Sequence, residues 1–451
     1  MTPDELSAPL TARLRELWGG GAEVTGLRRL PGGASRETWS FDAAGRGLIL
    51  RCESPDQTRI GAGLPVEAAA FTAARAAGVP VPEVLDAGDG TGAIPVPYLL
   101  QERLDGETIP RRLLRDERFA GVRSGLAAEL GRLLAAIHAI PAGRVPGLDG
   151  GDPLAGLTAL YDGLGDPRPA VELGLRWLRD HRPPPVPPAV VHGDFRLGNL
   201  LVAPDGVRGV LDWELVHTGD PAEDLGWLCV KAWRFGSPHP VGGLGSREEL
   251  LDGYEQGGGR RPDAARLRWW EVYGTLRWTV LCRFQAERHL SGAEPSIELA
   301  ALGRRVCEQE HDLLLALGHP APAPVPDVLD GTADVPPAPH DRPGAHGLLE
   351  AVGEFLAADV RAAGDERLRF HALVAANLLR VARREMLLGP AHRQAHRRRL
   401  AALGAASDAD LARAIRAGTL DAAAPEVIGA VRASVTDRLA VASPGHLRSP
   451  A

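Results

Sequence analysis

An aspartate five positions ahead of an asparagine, set between apolar runs, is an arrangement suited to moving a phosphoryl group. It occurs here at Asp194 and Asn199, within Val190-Val191-His192-Gly193-Asp194-Phe195-Arg196-Leu197-Gly198-Asn199-Leu200-Leu201-Val202. A further carboxylate, Asp212, ends the next apolar run, Gly209-Val210-Leu211. In that chemistry Asp194 accepts the proton of an attacking hydroxyl and orients it. Asn199 and Asp212 are the candidate Mg²⁺ ligands, because the charge of ATP otherwise repels the nucleophile. An Asx-rich turn would account for His192-Gly193-Asp194 alone. It does not account for the ordered set of apolar strand, HxDxxxxN, two apolar strands and Asp.

These residues need a scaffold of two textures. The first hundred residues read as a small unit of short strands. Thr2, Pro3 and Glu5 open a helix over 2–18 with a capping box. Strand patterns follow at 24–30, 36–42, 47–52 and 96–103, with an Ala-rich helix at 65–77. Beyond Gly106 helical patterns dominate: 118–139, two or more helices in 153–181, then 221–234, 247–256, 264–290 and 295–317. Residues 319–343 are Pro-rich and almost without apolar periodicity, as a linker is. About five helices follow in 344–441.

The segment 190–212 resembles the aminoglycoside phosphotransferase and choline kinase superfamily. More narrowly, Leu211-Asp212-Trp213-Glu214-Leu215 with Gly219-Asp220-Pro221-Ala222-Glu223-Asp224-Leu225-Gly226-Trp227 is similar to kinases fused to, or encoded beside, acyl-CoA dehydrogenases. The resemblance spans about residues 20–318 and is strongest at 190–227. It implies an α+β fold: a bilobal protein-kinase-like domain, with a small β-rich N-lobe over 1–104 and a helical C-lobe over 105–318. The linker 319–343 and an all-α accessory domain over 344–451 complete this division.

The same resemblance assigns further residues. Pro31-Gly32-Gly33-Ala34-Ser35-Arg36 resembles the phosphate-covering loop, so Gly32, Gly33 and Ser35 are expected to approach phosphate oxygens. Arg51 takes the place of the cation that grips the phosphates, and Glu67 is expected to pair with it. Backbone groups of Glu102 and Leu104 are expected at the adenine edge. His192, grouped with Asp194 in the catalytic set, is expected to brace its loop rather than ionise. Asp220 and Asp224 are expected to cap a helix and anchor the loop.

The expected activity is ATP- and Mg²⁺-dependent phosphotransfer to a hydroxyl of a small molecule. The Asp-Trp-Glu signature implies a hydroxyacyl-CoA or hydroxy acid and a functional link to an acyl-CoA dehydrogenase. An aminoglycoside or a choline-type alcohol is the alternative acceptor. From another class, the kinase fold could serve as a regulatory or interaction module, although Asp194, Asn199 and Asp212 are all present. For an acyl-CoA, a basic rim and apolar channel are sought on 264–290, where Arg266, Arg268, Arg277 and Arg283 lie beside Trp269, Trp270, Trp278 and Phe284.

The bulk numbers are compatible with this. The chain has 451 residues, 44% hydrophobic and 24% charged, with net charge −7. An acidic chain of this kind argues against nucleic acid as a partner. No long apolar run suggests a membrane span. The opening residues lack the pattern of a signal peptide. Cys52, Cys229, Cys282 and Cys307 form no CxxC pair, which fits a reducing, cytoplasmic setting. Since few core contacts are expected to cross the Pro-rich stretch, residues 1–318 are expected to fold alone.

Overall fold

The computed structural model describes residues 1–20, 22–30, 36–53, 61–330 and 343–448. The chain divides into two compact units. One comprises Met1–Gly151 with Pro184–Trp270, and the other Asp152–Pro183 with Glu271–Ala451.

The first unit opens with the helix Pro3–Trp18, whose Thr2–Glu5 capping box forms. A five-stranded antiparallel sheet follows: β1 (Thr25–Arg29), β2 (Arg36–Ala43), β3 (Arg46–Glu53), β4 (Val84–Asp89) and β5 (Pro97–Glu102), in the order β1-β2-β3-β5-β4. Alternation sets its faces. Trp39, Phe41, Leu48, Leu50 and Leu100 point to one side and bury against Leu6, Leu10 and Leu14 of the opening helix. Leu99 points to the other, toward Leu64, Phe71 and Ala74 of the helix Leu64–Ala76. The period of two along β3 therefore also decides that Arg51 lies on the face opposite Leu50.

The rest of this unit carries two short strand pairs: β6 (Ala189–Val191) with β9 (His217–Gly219), and β7 (Leu200–Ala203) with β8 (Gly206–Val210). The helices Ala120–His138, Ala222–Cys229 and Arg247–Gln256 pack around them, with Leu130, Leu134, Val190, Val210, Leu225 and Leu250 in one core. Most expected elements lie within a residue or two of these. β4 has no counterpart among them, because Asp86, Gly88 and Asp89 dilute its apolar alternation. The helix expected over 221–234 stops at Cys229, and a 3₁₀ turn fills Lys231–Arg234 before Phe235 turns left-handed at φ 49°.

The second unit is helical: Pro153–Gly163, Pro169–Asp180, Ile297–Ala316, Ala345–Phe355, Glu366–Ala402, Asp408–Ala417 and Pro425–Ala442, with the long helix Ala264–Leu290 entering from the first unit at its Trp270–Glu271 boundary. One core joins helices from both sides of the Pro-rich stretch. Leu173, Cys307 and Leu314 bury with Leu411, Ile415, Val431, Val435 and Leu439. The expectation that few core contacts cross that stretch is therefore not met. Residues 331–342 of it lie outside the described ones. Its described part docks through polar groups that apolar periodicity does not reveal. Asp327 accepts from Arg384 Nε at 2.8 Å and Nη2 at 2.6 Å, and Arg432 donates to the Pro320 carbonyl at 2.6 Å. The Arg384 bonds hold the Asp327 carboxyl at about 2.

Candidate active site

β6 delivers His192, Gly193 and Asp194 to a loop in which almost every polar atom is used. Gly193 has φ +81°, and a Cβ there would lie 2.4 Å from the Leu215 carbonyl oxygen, so only glycine makes this turn. Asp224, fully buried in the first turn of Ala222–Cys229, accepts from His192 N at 2.8 Å and from Gly193 N at 2.9 Å. His138 Nε2 adds a third contact at 3.2 Å and is itself set by Tyr254 Oη at 2.8 Å from its Nδ1. Burial opposes ionisation of Asp224, but the bond and charge of His138, then His192, bring its pKa below the ordinary value.

His192 spans the loop. Its Nδ1 accepts from Asp194 N at 3.2 Å, so the ring proton sits on Nε2, which donates to the Leu211 carbonyl at 2.9 Å. The ring is fully buried and lies 4.7 Å from the Trp213 ring. Burial pushes its pKa below the ordinary value. The ring therefore refuses a proton that the unfolded chain accepts. Stability is full above about pH 6.5 and falls as pH drops below it, by at most about 1.4 kcal/mol per pH unit. We expect the melting temperature to decline from pH 7 toward pH 5, and His192→Gln to flatten that decline. An unchanged slope in the variant contradicts the assignment.

Asp194 is held on both oxygens. Oδ1 accepts from Arg196 Nε at 2.9 Å and Trp227 Nε1 at 2.8 Å, and Oδ2 from Asn199 Nδ2 at 2.6 Å. The Asn199 amide also donates to the Asp194 carbonyl at 2.9 Å. With its nitrogen so committed, Asn199 keeps Oδ1 as its hard oxygen donor. Leu211 N bonds the Asn199 carbonyl at 2.8 Å, fixing β8 and its end beside the loop. Asp212 follows in the left-handed region at φ 62°, uncommon outside glycine but accessible to Asp.

Asp212 Oδ1 accepts from Arg51 Nη2 at 2.9 Å, and Arg51 Nη1 reaches Glu67 Oε2 at 2.7 Å. Glu67 is fully buried, and its Oε1 is paired with Arg36. Arg36, which was not singled out as a ligand, also donates to the Ala62 carbonyl at 2.7 Å. Burial, then the charge of Arg51, lowers its pKa to about 10. Arg196 and Trp227 are likewise contacts that the sequence reading did not assign. Both lie inside the quoted motifs, but only the folded loop aims them at Asp194.

The other expected residues fall variously. Gly32, Gly33 and Ser35 lie outside the described residues. Glu102 N donates to the Glu83 carbonyl at 3.0 Å, which takes that N–H out of the expected adenine contact. Leu104 packs against β8, where a Cβ on Gly209 would lie 3.1 Å from its Cδ1. Asp220 caps Ala222 N at 2.9 Å and pairs with Arg266. Arg283 is engaged by Asp166 at 2.9 Å, while Trp269 and Trp270 are buried. Of the eight residues sought as an acceptor rim on this helix, Arg266, Arg283, Trp269 and Trp270 are thus engaged or buried, while Arg268 is exposed and Arg277, Trp278 and Phe284 are half-buried.

Asn199 Oδ1 and the Asp212 carboxylate are hard oxygen donors of the kind Mg²⁺ takes beside phosphates. Among the described residues no group of three or more His, Cys, Asp or Glu side chains could hold a metal by itself. An ion here would complete its shell with phosphate oxygens and water.

A β-rich lobe presenting an Arg–Glu pair to a loop with HxDxxxxN and a following Asp defines a kinase-like phosphotransfer centre. Residues 26–270 match the phosphotransferase enzyme family, and the chain belongs to that family. Residues 362–446 match a domain of unknown function (DUF6285). Among curated proteins, acyl-CoA dehydrogenase family member 10 of Mus musculus is 31% identical over 226 residues, 46% of this chain and 20% of that protein. Acyl-CoA dehydrogenase family member 11 of Gallus gallus is 42% identical over 62 residues, 13% of this chain and 8% of that protein. The match thus spans about a fifth or less of these relatives. A crystal structure of an aminoglycoside phosphotransferase from Ralstonia eutropha has 21% identity and a TM-score of 0.56, covering 69% of this chain and 97% of that one. It shares the fold. No helix among the described residues is long and apolar enough to cross a membrane.

Proposed function

We propose that this chain transfers the γ-phosphoryl group of ATP to a hydroxyl of a small acyl molecule, a hydroxyacyl-CoA or a free hydroxy acid. The observation that carries the reading is the convergence of Arg51, Glu67 and Asp212 beside the Asp194–Asn199 pair. Asp194 takes the proton of the acceptor hydroxyl as its oxygen forms the new P–O bond, and ADP leaves with the electrons of the broken bond. Arg196 and Trp227 fix the direction of Asp194. Asn199 and Asp212 would hold Mg²⁺, which neutralises phosphate charge when bound. Arg51, released from Asp212, grips phosphate oxygens while Glu67 keeps its direction.

The class of acceptor rests on the Asp212-Trp213-Glu214 and Gly219–Trp227 patterns and on the acyl-CoA dehydrogenase names of the two relatives. A polycationic aminoglycoside calls for free carboxylates. Two acidic stretches that could supply them are occupied: Arg261 engages Glu248, Asp252 and Glu255, and Glu310 is buried against Arg168 and Arg438. An acceptor screen by coupled ADP release tests the reading. Turnover with hydroxyacyl-CoAs or hydroxy acids is expected to exceed that with kanamycin. The reverse order, with no hydroxyacyl turnover, rejects it.

Arg51→Ala is expected to raise KM for ATP and lower kcat. Two charge-assisted bonds contribute about 1.5–3 kcal/mol each, so kcat/KM should fall at least 10- to 100-fold, by about one such bond or more. Arg51→Lys should recover part of the loss, keeping the charge without the fork. Wild-type kinetics in Arg51→Ala would remove this residue from the nucleotide site.

A further inference from the structure

The second unit contains a cavity of about 460 Å³, within the size range of small-molecule sites. It lies among the helices Ile297–Ala316, Glu366–Ala402 and Pro425–Ala442, beside Asp408, and none of its lining belongs to the unit that carries Asp194. A helix packed between neighbours ordinarily turns an apolar stripe inward. Here the stripe of Glu366–Ala402 at spacings of three and four is Glu385, Gly389, His392, His396 and Arg399. This polar face lines an open cleft, in which Glu385 and Arg393 are exposed and His392, His396 and Arg399 are half-buried.

The charges of the wall are unequal. Arg304 pairs with Glu385, Arg399 with Asp437, Arg438 with Asp408 and, behind the wall, Glu310, and Arg168 with Glu310 and Asp166. The residues that line the cavity include five arginines against three carboxylates, Glu385, Asp408 and Asp437, and Arg393 has no ion pair among the described residues. Gly389 makes room for it: a Cβ there would lie 2.8 Å from Arg393 Nη1. Arg399 Nε is buried without an acceptor. His396 stands between Ser434 Oγ at 3.0 Å and Asp408 Oδ1 at 3.4 Å, adding a polar anchor. Apolar surface comes from Cys307, Val441 and Ala442.

We propose that this cavity binds a small organic phosphate monoester, with the phosphate on Arg393 and the organic body against Cys307, Val441 and Ala442. Guanidinium forks match phosphate oxygens two at a time, and the excess charge selects an anion. The apolar wall selects an ester over the free ion. The proposal is independent of the roles given to Asp194 and Asp212. Calorimetric titration of the full chain with phenyl phosphate, inorganic phosphate and benzoate tests it. Phenyl phosphate should bind saturably and more tightly than either other probe. Arg393→Ala should weaken it at least about tenfold, as loss of one charge-assisted bond implies. Arg393→Glu should abolish it, and Arg51→Ala should leave it unchanged. Arg393 is exposed, and an unaltered melting temperature verifies that both of its variants fold. Absence of saturable binding, tighter binding of benzoate, or binding lost in Arg51→Ala but kept in Arg393→Glu overturns the proposal.

Discussion

Asp194→Ala is expected to lose about 10²- to 10⁴-fold in kcat, the usual contribution of a positioned general base, while the affinity for Mg²⁺-ATP stays within a few-fold of wild type. The separation follows from the geometry. Of the groups assigned to Mg²⁺-ATP only Asn199 touches Asp194, and it does so through its nitrogen rather than the Oδ1 offered to the metal, whereas Arg51 and Asp212 are bonded to each other. Removing Asp194 frees the Asn199 amide but leaves the Arg51–Glu67 pair in place. Calorimetry with a nonhydrolysable ATP analogue, beside steady-state kinetics on the true acceptor, reads both quantities. Near-normal turnover, or affinity lost in step with turnover, contradicts the role of Asp194.

Truncation after residue 318 is the second large effect. The remaining helices Pro169–Asp180 and Ile297–Ala316 would keep Leu173, Cys307 and Leu314 but lose the side chains that cover them: Leu411, Ile415, Val431, Val435 and Leu439. Each fully buried side chain of this kind contributes about 1.5–3 kcal/mol, against a whole stability of about 5–15 kcal/mol. Glu172, buried in the same helix, would lose its bond from Arg416 Nη2 at 2.8 Å. The fragment 1–318 is expected to aggregate or to melt without cooperativity in its helical part. A monomeric fragment with a single sharp transition near that of the full chain contradicts the shared core.

These two expectations mark what the sequence disclosed and what it withheld. The loop at 192–199 was legible because its chemistry is local: spacing alone brings Asp194, Asn199 and the flanking strands together. The Arg51–Glu67 pair was legible only through resemblance, since 16 positions separate the partners, one on β3 and the other in the first turn of the helix Leu64–Ala76. Arg36 was not, because one more arginine at a strand start carries no mark of the buried glutamate it will meet. The same limit applies to the second unit. Periodicity in 169–180 and 297–316 shows that each helix buries a face, but not which partner covers it. Prolines in 319–343 argued for a spacer, whereas Asp327 and the Pro320 carbonyl dock by hydrogen bonds that leave no apolar trace. β4 was missed for a related reason: Tyr98 Oη and Arg13 secure Asp86 at 2.6 and 2.7 Å, so an acidic residue sits where a strand pattern asks for an apolar one.

The most direct test of phosphotransfer at this centre is phosphorus NMR of the full chain incubated with ATP, Mg²⁺ and a hydroxyacyl-CoA. The account predicts a new phosphomonoester resonance that grows in step with ADP, coupled to the proton on the carbon of the acceptor hydroxyl, and absent from Asp194→Ala. Release of inorganic phosphate alone, or the same ester signal from Asp194→Ala, contradicts it.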